Sequence, residues 1–537
     1  MLEKLKNTTT RKKSLALLIA FAIFTAVYFA ARMVMRSGKL MLFRFNLGFS
    51  IEEAGLLYDY QTVLVVLLSA CVFGTALYLI NRPLRYELLF PLLALSFGLL
   101  YMFTITPLSV PDEITHFQAI TELTGKLFPA GLDASIADFH GFTSQKNVCT
   151  GYLRIIRELF GKSQSGVRLY VDVMGGMWTL TYAAEYIPQI IGYAIARIFN
   201  FNSVTALMLG RFFNLLFYVG CVTLALRIAP RFKLMLGMCS LMPMALQQAA
   251  SLSYDNFINA LCLVLFACLL RLIFGYNASP SPLSDSADGK MYFRTFILTV
   301  VTAALLTPAK GIYAAFILLF LFVPNNRFSG RLNKRRGFVI LAAACVAFFA
   351  AISMPSLVRI LSSTPPSYGI EGGEQYTLRF FLTNPSDALG MFQNSFNVSF
   401  ATWFSQAVGQ SLSTCNLDLP TWIVPTYILL LLLAAQNVEG DELTIPKHFR
   451  TVLIGISLLV VFTFMMTMFL TWIKTSDKLI IGVQGRYFTP IIPLLVAAAN
   501  SRTLALKKDI GKGLTMLTVL LSARTVLAIL DYTMFNV

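Results

Sequence analysis

Residues able to do chemistry on a charged substrate are concentrated in one short stretch of the chain. Residues 111–117 carry Asp112, Glu113 and His116 directly after an apolar run that ends near Leu108. Charge at membrane depth is unfavourable, so two carboxylates and an imidazole at a membrane exit are candidates for a functional site. The Pro-Asp-Glu sequence is also favourable at the start of a helix, and a purely structural cap stays an alternative.

Six further candidates lie near the ends of later apolar runs. They are Arg211, Asp255, Lys310, Gln484, Arg486 and Tyr487. Arginine and lysine neutralise phosphate, and arginine does so through two parallel hydrogen bonds. We therefore expect these six residues to bind a charged, membrane-held substrate. Arg486 and Tyr487 also fit a simple anchor at the membrane interface, which is a second interpretation of that motif.

The carboxylates have two possible uses beside such cations. A carboxylate can accept the proton of an attacking hydroxyl group, so we predict catalytic roles for Asp112, Glu113 and His116. Divalent cations prefer oxygen ligands. The sequence does not require a cofactor, but a Mg or Mn ion would find its ligands among Asp112, Glu113 and Asp255.

The composition shows what kind of elements must position these residues. Of the 537 residues, 57% are hydrophobic and only 13% are charged, about half the charged fraction of soluble domains. Apolar runs of about 20 residues recur from Leu15 to Leu530, and each can cross a bilayer as a helix. The chain is therefore predicted to be an all-α polytopic membrane protein. The net charge of +17 lies mainly in short gaps between apolar runs, which argues against nucleic-acid binding.

The apolar runs predict about 13 transmembrane helices, and the charge of the loops predicts their direction. The helices are expected at about 14–34, 62–80, 87–107, 204–227, 234–252, 256–275, 295–309, 311–324, 337–354, 421–436, 451–473, 487–500 and 514–533. The basic N-terminus and basic gaps are cytoplasmic in this arrangement. All candidate residues then fall at the outer face of the cell membrane.

This topology divides the chain into three membrane units and two large external loops. The membrane units are 1–106, 204–354 and 420–537, and the loops are 107–203, which holds the acidic motif, and 355–419. Within the first loop, residues 178–199 fit a helix lying at the interface better than a spanning helix, because a further span would move later basic gaps outside. Cys149 and Cys415 fall in the two loops, where either a disulfide or two thiols is compatible with the sequence.

Three motifs carry a resemblance to a known family. They are Pro-Asp-Glu-x-x-His-Phe at 111–117, Ser-Tyr-Asp-Asn at 253–256 and Gln-Gly-Arg-Tyr-Phe-Thr-Pro at 484–490. In this order they resemble the bacterial domain-of-unknown-function 2142 family over residues 87–500. That family is in turn similar to GT-C glycosyltransferases, which use polyprenyl-phosphate sugars on the non-cytoplasmic face.

The resemblance also implies roles for individual residues. Residues 112–117 resemble the Asp-Glu-x-x-His-Phe form of protein O-mannosyltransferases, so Asp112 would be the base and Glu113 an acceptor or metal contact. Asp255 matches an acid of the oligosaccharyltransferases. The Trp-Trp-Asp type motif of those enzymes is missing from the sequence, so glycosylation of protein is not implied.

We therefore expect a membrane glycosyltransferase that moves a sugar from a polyprenyl-phosphate donor to a glycan or lipid acceptor of the cell envelope. Arg486, Lys310 and Arg211 would bind the donor phosphate. The main alternative is a transporter or flippase for a lipid-linked saccharide, which needs the same cations but no base. Transporters often contain inverted repeats, and we find no repeat here. A non-catalytic scaffold of the envelope is a third possibility.

Overall fold

A computed structural model describes residues 2–127, 144–162, 184–275, 287–325, 333–362, 375–436, 445–501, 503–504, 506 and 509–534. The first half of this part contains α1 (Leu2–Leu47), α2 (Ile51–Asn81), α3 (Tyr86–Thr104), α4 (Glu113–Leu127), α5 (Gln145–Glu158), α6 (Ile187–Ile198), α7 (Ser203–Ile228), α8 (Lys233–Cys239), α9 (Pro243–Ala249) and α10 (Asp255–Phe274).

The second half continues the helical framework. It contains α11 (Ala287–Lys310), α12 (Lys334–Ser362), α13 (Leu378–Thr383), α14 (Pro385–Val408), α15 (Ile423–Gln436), α16 (Lys447–Thr471), α17 (Ile492–Ala498) and α18 (Gly511–Met534). Two segments are 3₁₀ helices, Gly311–Phe322 and Gly485–Ile491. A short antiparallel hairpin joins β1 (Ser411–Leu412) to β2 (Leu417–Asp418).

Several helices start at a polar side chain that caps them. The Ser50 hydroxyl accepts the Glu53 N–H at 3.1 Å while the Glu53 carboxylate accepts the Ser50 N–H, a capping box that begins α2. Asn202 caps α7 in the same way, accepting the Thr205 N–H at 2.9 Å. The capping box explains why α2 begins at residue 51, well before the apolar run from which its start near 62 was predicted.

Nine helical stretches in the described part of the chain are long and apolar enough to cross a membrane, which supports an all-α membrane protein. They are Thr10–Leu47, Ile51–Asn81, Tyr86–Thr104, Ser203–Ile228, Asp255–Phe274, Met291–Phe322, Lys334–Ile352, Lys447–Thr471 and Gly511–Tyr532. Three shorter apolar helices, Ile187–Ile198, Ile423–Gln436 and Gly485–Ala498, accompany them. The count of 13 spans stays a prediction, and several of the predicted helices differ from those in the structure.

Prolines account for two of these differences. The predicted helix 234–252 is split into α8 and α9, and Pro243 stands in the first turn of α9. The predicted helix 487–500 begins as a 3₁₀ helix that contains Pro490, and Pro493 lies in the first turn of α17. Proline lacks a backbone N–H and is best accommodated in the first turn of an α-helix, so Pro243 and Pro493 each start a new segment.

The predicted external loops contain more helix than the sequence indicated. Residues 355–419 were interpreted as a loop rich in Ser, Thr, Gly and aromatic residues, but α14 occupies 24 residues of it. Its polar side chains are interleaved with apolar ones, so no uninterrupted apolar run marks it. α14 ends at Gly409, whose φ of +126° is readily adopted only by glycine.

The helix predicted at the interface is α6, which has 12 residues and lies directly against α7. A Cβ on Gly192 would be 2.4 Å from the carbonyl oxygen of Leu209, so the two helices touch along their backbones. Twelve residues span about 18 Å, which is less than a hydrocarbon core of about 30 Å. This length favours the interfacial prediction. Residues 178–183 of the same segment lie outside the described residues.

Helix ends that were expected on the cytoplasmic side lie together in the structure. The Lys512 ammonium donates to the carbonyl oxygens of Leu79, at 2.6 Å, and Arg82, at 2.8 Å. Arg450 donates to Ala498 O at 2.7 Å. These bonds join the basic ends of α2 and α18, and those of α16 and α17. The candidate site lies at the other end of the bundle along α10, which begins at Asp255 and ends at Phe274, where the Phe274 ring packs against Phe449 of α16.

Candidate functional site

The centre of the site is a row of four side chains with alternating charge. The Arg486 guanidinium donates to the Asp112 carboxylate, and its Nη1 lies 3.5 Å from Asp255 Oδ2. The other oxygen of Asp255, Oδ1, is 2.5 Å from Lys310 Nζ. We call Asp112, Arg486, Asp255 and Lys310 the charge ladder. Its members come from four separated parts of the sequence, and the structure brings them into direct contact.

Asp112 is the accessible end of the charge ladder. Its side chain is 56% exposed, whereas that of Arg486 is 4% exposed. The backbone of Asp112 has a φ of +59°, and its carbonyl oxygen accepts the His116 N–H at 3.0 Å, so its backbone opens α4. The side chain instead contacts Arg486. The helix-cap interpretation therefore describes the backbone of Asp112, and the carboxylate is left for another role.

Aromatic rings surround the Lys310 end of the charge ladder. The Lys310 ammonium lies 4.5 Å from the ring centre of Tyr487, 5.1 Å from that of Tyr254 and 5.9 Å from that of Phe464. Tyr487 stacks on Phe464 with ring centres 5.1 Å apart, and the Tyr313 hydroxyl donates to the Tyr487 carbonyl oxygen. Ring faces attract cations, so these contacts help to hold the Lys310 ammonium at this end of the charge ladder.

Glu113 and Arg211 form a second ion pair that is separate from the charge ladder. Both side chains are fully buried, and two bonds of 2.6 and 2.8 Å join the guanidinium to the carboxylate. Arg211 also donates to the carbonyl oxygens of Ile105 and Thr106, and Glu113 accepts the Leu252 N–H at 3.0 Å. These bonds fasten α7 to the loop before α4. Glu113 and Arg211 therefore bind each other and hold the acidic stretch in place, and the catalytic and substrate-binding roles expected for them stay predictions.

His116 lies beside the ladder as a neutral group. It is 3% exposed, its Nδ1 is 2.7 Å from the Tyr186 hydroxyl, and its ring packs edge-on against Tyr254 at 5.0 Å. Burial lowers the pKa of His116 to about 4, and the charges of Asp255 and Arg486 oppose each other around it. A histidine with this pKa is a weak base at neutral pH. It is suited to hydrogen bonding rather than to proton abstraction.

Glu185 is a site residue that sequence reasoning did not select. Its carboxyl group is buried, and neither oxygen has a hydrogen-bond partner among the described residues. Burial raises the pKa of Glu185 to about 8, with opposing contributions from Lys310 and Asp255. The sequence signal that could have found it is an acid placed directly before the apolar residues 186–191.

The Gln484–Gly485–Arg486 motif is held by α14. A Cβ on Gly485 would lie 2.3 Å from the Trp403 carbonyl oxygen, and the Gly485 N–H donates to the Gln406 side chain at 3.2 Å. The space that the missing side chain of Gly485 leaves is filled by α14. Gln484 lies next to this contact, and its Oε1 is buried without a hydrogen-bond partner in the described part of the chain.

A comparison with models of protein families found a match to this chain. A family model described as predicted membrane protein (DUF2142) matches residues 178–495, which is more than half of the chain. The chain belongs to this family. No curated protein and no solved structure matches the sequence.

The match to the DUF2142 family covers three members of the charge ladder. Asp255, Lys310 and Arg486 lie inside residues 178–495, as does Glu185. Asp112 precedes the matched range. The cationic part of the site therefore belongs to the region on which the family assignment rests.

The residues of this DUF2142-family site do not fit the divalent cation that the sequence left open. Asp112 is paired with Arg486, Asp255 with Lys310 and Arg486, and Glu113 with Arg211. Within the described ranges there is no group of three or more His, Cys, Asp or Glu side chains placed to hold a metal ion. We therefore assign no step to a metal.

Cys149 and Cys415 each carry a thiol in the structure, so the disulfide alternative is wrong. Cys149 is buried in α5, whereas Cys415 is exposed in the hairpin between β1 and β2. The hairpin is fastened elsewhere: Ser413 N–H donates to the Gln247 side chain at 2.6 Å, and the Ser413 hydroxyl donates to Ser109 O at 2.7 Å. The hairpin is therefore held to the rest of the protein by hydrogen bonds.

Proposed function

We propose that this DUF2142-family protein is a membrane glycosyltransferase of the GT-C type. It transfers a sugar from a polyprenyl-phosphate donor to a glycan or lipid acceptor of the cell envelope. The observation that carries the proposal is the charge ladder, in which the accessible Asp112 carboxylate pairs with the enclosed Arg486, and Asp255 links Arg486 to a second enclosed cation, Lys310. Such a combination of base and phosphate-binding groups is what glycosyl transfer from a lipid phosphate requires.

In the proposed reaction the donor phosphate binds Arg486 and Lys310. The guanidinium offers two parallel hydrogen bonds to phosphate oxygens, and the ammonium adds a point charge. The acceptor hydroxyl oxygen forms a bond to the anomeric carbon, and the bond from that carbon to the phosphate oxygen breaks. The electron pair leaves with the polyprenyl phosphate, whose charge the two cations stabilise, and the hydroxyl proton passes to Asp112.

The contact between Asp112 and Arg486 gives this reaction an order of events. While the Asp112 carboxylate is bound to the Arg486 guanidinium, it is not free to accept the hydroxyl proton. A phosphate that binds Arg486 competes for the same N–H groups and releases the Asp112 carboxylate. Donor binding would therefore make the base available only when the leaving group is in place.

The proposed location is the outer face of the cell membrane, with the N-terminus in the cytoplasm. The support is the basic character of the gaps near Arg82, Arg450 and Lys512, which lie at the end of the bundle opposite the charge ladder. Membrane lipids would surround the helices, and the donor lipid would reach the site from the same bilayer.

Replacement of Asp112 tests this proposal. Asp112→Asn should reduce sugar transfer at least about 100-fold, because the proton acceptor is lost. It should leave the affinity for farnesyl phosphate unchanged or higher, because a competitor for Arg486 is removed. Transfer is measured in proteoliposomes with radiolabelled polyprenyl-phosphate sugars, and binding is measured by calorimetry on the full-length protein in detergent.

A matched control is available in Asp59→Asn. Asp59 is 57% exposed and paired with Arg36 at 3.0 Å, so it resembles Asp112 in exposure and pairing but lies away from the site. This variant should transfer sugar normally. Two results together would favour the transporter alternative and contradict a catalytic base. Neither Asp112→Asn nor Asp59→Asn would transfer sugar, and Asp112→Asn would still move a lipid-linked saccharide across the bilayer.

A further inference from the structure

Two buried polar side chains next to the charge ladder have no part in the proposed reaction. Glu185 is 1% exposed and directly precedes Tyr186, whose hydroxyl lies 2.7 Å from Nδ1 of His116. Both carboxyl oxygens of Glu185 and the Nε2 of His116 lack a hydrogen-bond partner among the residues that the structure describes. Both groups lie near Tyr254, whose ring packs against His116 and whose hydroxyl is close enough to Glu185 to feel its charge.

Unsatisfied polar atoms in a protein interior need a physical reason. Leaving a buried donor or acceptor unpaired is unfavourable, and most such groups are paired in folded proteins. One reason for such an arrangement is a ligand that completes the hydrogen bonds when it binds. This cluster is also adjacent to the phosphate-binding cations, since the Tyr254 ring lies 5.0 Å from the His116 ring and 5.1 Å from the Lys310 ammonium.

The chemistry of the cluster distinguishes its ligand from a phosphate. Burial raises the pKa of Glu185 to about 8 and lowers the pKa of His116 to about 4, so both side chains are uncharged at neutral pH. A protonated carboxyl and a neutral imidazole each offer hydrogen-bond donors and acceptors without net charge. They match hydroxyl groups, and the neighbouring tyrosine rings offer apolar faces for the C–H groups of a sugar.

We infer that Glu185 and His116 form the subsite that binds the sugar hydroxyls of the donor. The inference rests on the proposed function, because the sugar is covalently attached to the phosphate that the charge ladder would bind. The division is between a charged subsite for the phosphate, formed by Arg486 and Lys310, and a neutral subsite for the carbohydrate. In this arrangement the neutral subsite determines which sugar is accepted.

The experiment compares two kinds of probe on the full-length protein in nanodiscs. The first is farnesyl phosphate, and the second is a panel of farnesyl-phosphoryl hexoses and pentoses, from which the tightest-binding member is taken. The ratio of the two dissociation constants measures the contribution of the sugar. Glu185→Leu and His116→Phe should each reduce this ratio about tenfold, by removing hydrogen bonds to the sugar. Their affinity for farnesyl phosphate should stay within about twofold of wild type.

Two further variants serve as controls. Glu185→Gln keeps an uncharged hydrogen-bonding group and should retain the preference for the sugar. Arg486→Lys should weaken both kinds of probe alike, because it alters the phosphate contact. Thermal midpoints show which variants are folded, and His116→Phe serves as the second test if Glu185→Leu does not fold.

The outcomes separate this inference from the proposed function. Equal loss of both probes in Glu185→Leu and His116→Phe, or a wild type that binds farnesyl phosphate but prefers no sugar, would overturn the sugar subsite and leave the phosphate site standing. A wild type that binds neither probe would contradict the donor class itself. Loss of the sugar preference alone supports the subsite.

Discussion

Asp112 and Glu113 are neighbours in the sequence but lie in opposite environments. Asp112 is accessible and contacts Arg486, whereas Glu113 is fully buried against Arg211. The positive φ of Asp112 turns the chain between them. A motif of two adjacent carboxylates therefore supplies two unrelated ion pairs. One of them serves chemistry in our proposal, and the other fastens the loop that carries it.

The buried pair leads to a prediction about stability. Glu113→Gln should lower the free energy of unfolding by roughly 3–5 kcal/mol, because it leaves the Arg211 charge buried without a counter-ion. The measurement is chemical unfolding of the purified protein in detergent.

An exposed ion pair supplies the control for this prediction. Asp531→Asn removes the partner of Arg524, at 3.1 Å and with both side chains more than a third exposed, and should cost less than about 1 kcal/mol. Equal losses in the free energy of unfolding for the two substitutions would show that the Glu113–Arg211 pair does not hold the structure together.

At the scale of elements, the position of Arg486 depends on the contact between α14 and the 3₁₀ helix Gly485–Ile491. Gly485 lies against the backbone of Trp403 and Ala407, and the Thr489 hydroxyl donates to Ala407 O at 2.9 Å. The two elements therefore pack without an intervening side chain. A segment that hydropathy assigned to a loop thus sets the depth of Arg486, which binds the donor phosphate in our proposal.

Adding a single methyl group tests this contact. Gly485→Ala should destabilise the protein by about 1–3 kcal/mol, because the new Cβ would lie 2.3 Å from the Trp403 carbonyl oxygen and 2.4 Å from Gln406 Cβ. The shift of Arg486 should also weaken binding of farnesyl phosphate. Both effects are read from thermal unfolding and calorimetry on the same preparation.

Gly455 in α16 is the matched control for that substitution. A Cβ there would meet nothing within 4 Å, and alanine favours a helix over glycine. Gly455→Ala should therefore leave binding unchanged and slightly raise the thermal midpoint. Normal binding by Gly485→Ala would instead mean that the 3₁₀ helix adjusts without moving Arg486.

At the scale of the whole molecule, the helix ends separate into a basic end and an end that carries the charge ladder. The basic end gathers residues such as Arg82, Arg450 and Lys512, and the opposite end holds Asp255 and Lys310. Positive charge close to the ends of membrane helices favours the cytoplasmic side. The outward position of the site is a prediction of this asymmetry.

Cys415 provides a direct measurement of that orientation. It is the exposed cysteine of the hairpin, while the other seven cysteines are buried or partly buried. A membrane-impermeant maleimide should label wild-type protein in intact spheroplasts, and Cys415→Ser should abolish the labelling. A cysteine at Thr503, an exposed residue near the basic end, should react only after permeabilisation when introduced into Cys415→Ser. The reverse pattern would place the site in the cytoplasm.

The sequence by itself determined the class of the protein and the set of residues worth considering. Apolar runs longer than a bilayer is thick identify membrane helices locally, without knowledge of any partner. Short basic gaps then alternate the helix direction, which was sufficient to place Asp112, Asp255, Lys310 and Arg486 at the same end. The starts and breaks of helices were harder to predict from the sequence. The cap at Ser50 and the restart at Pro243 depend on backbone hydrogen bonds, which a hydropathy pattern does not reveal.

Only the tertiary structure decided which charged groups face each other. Arg211 and Arg486 are equivalent candidates in sequence, yet one binds Glu113 and the other Asp112 and Asp255. Asp112 and Arg486 are 374 residues apart, and no local pattern relates positions so distant. Their contact depends on packing between elements, such as the close contact of Gly485 with α14. The same packing buries Glu185 beside Lys310, because a side chain is enclosed by its neighbours in space and not by its neighbours in the chain.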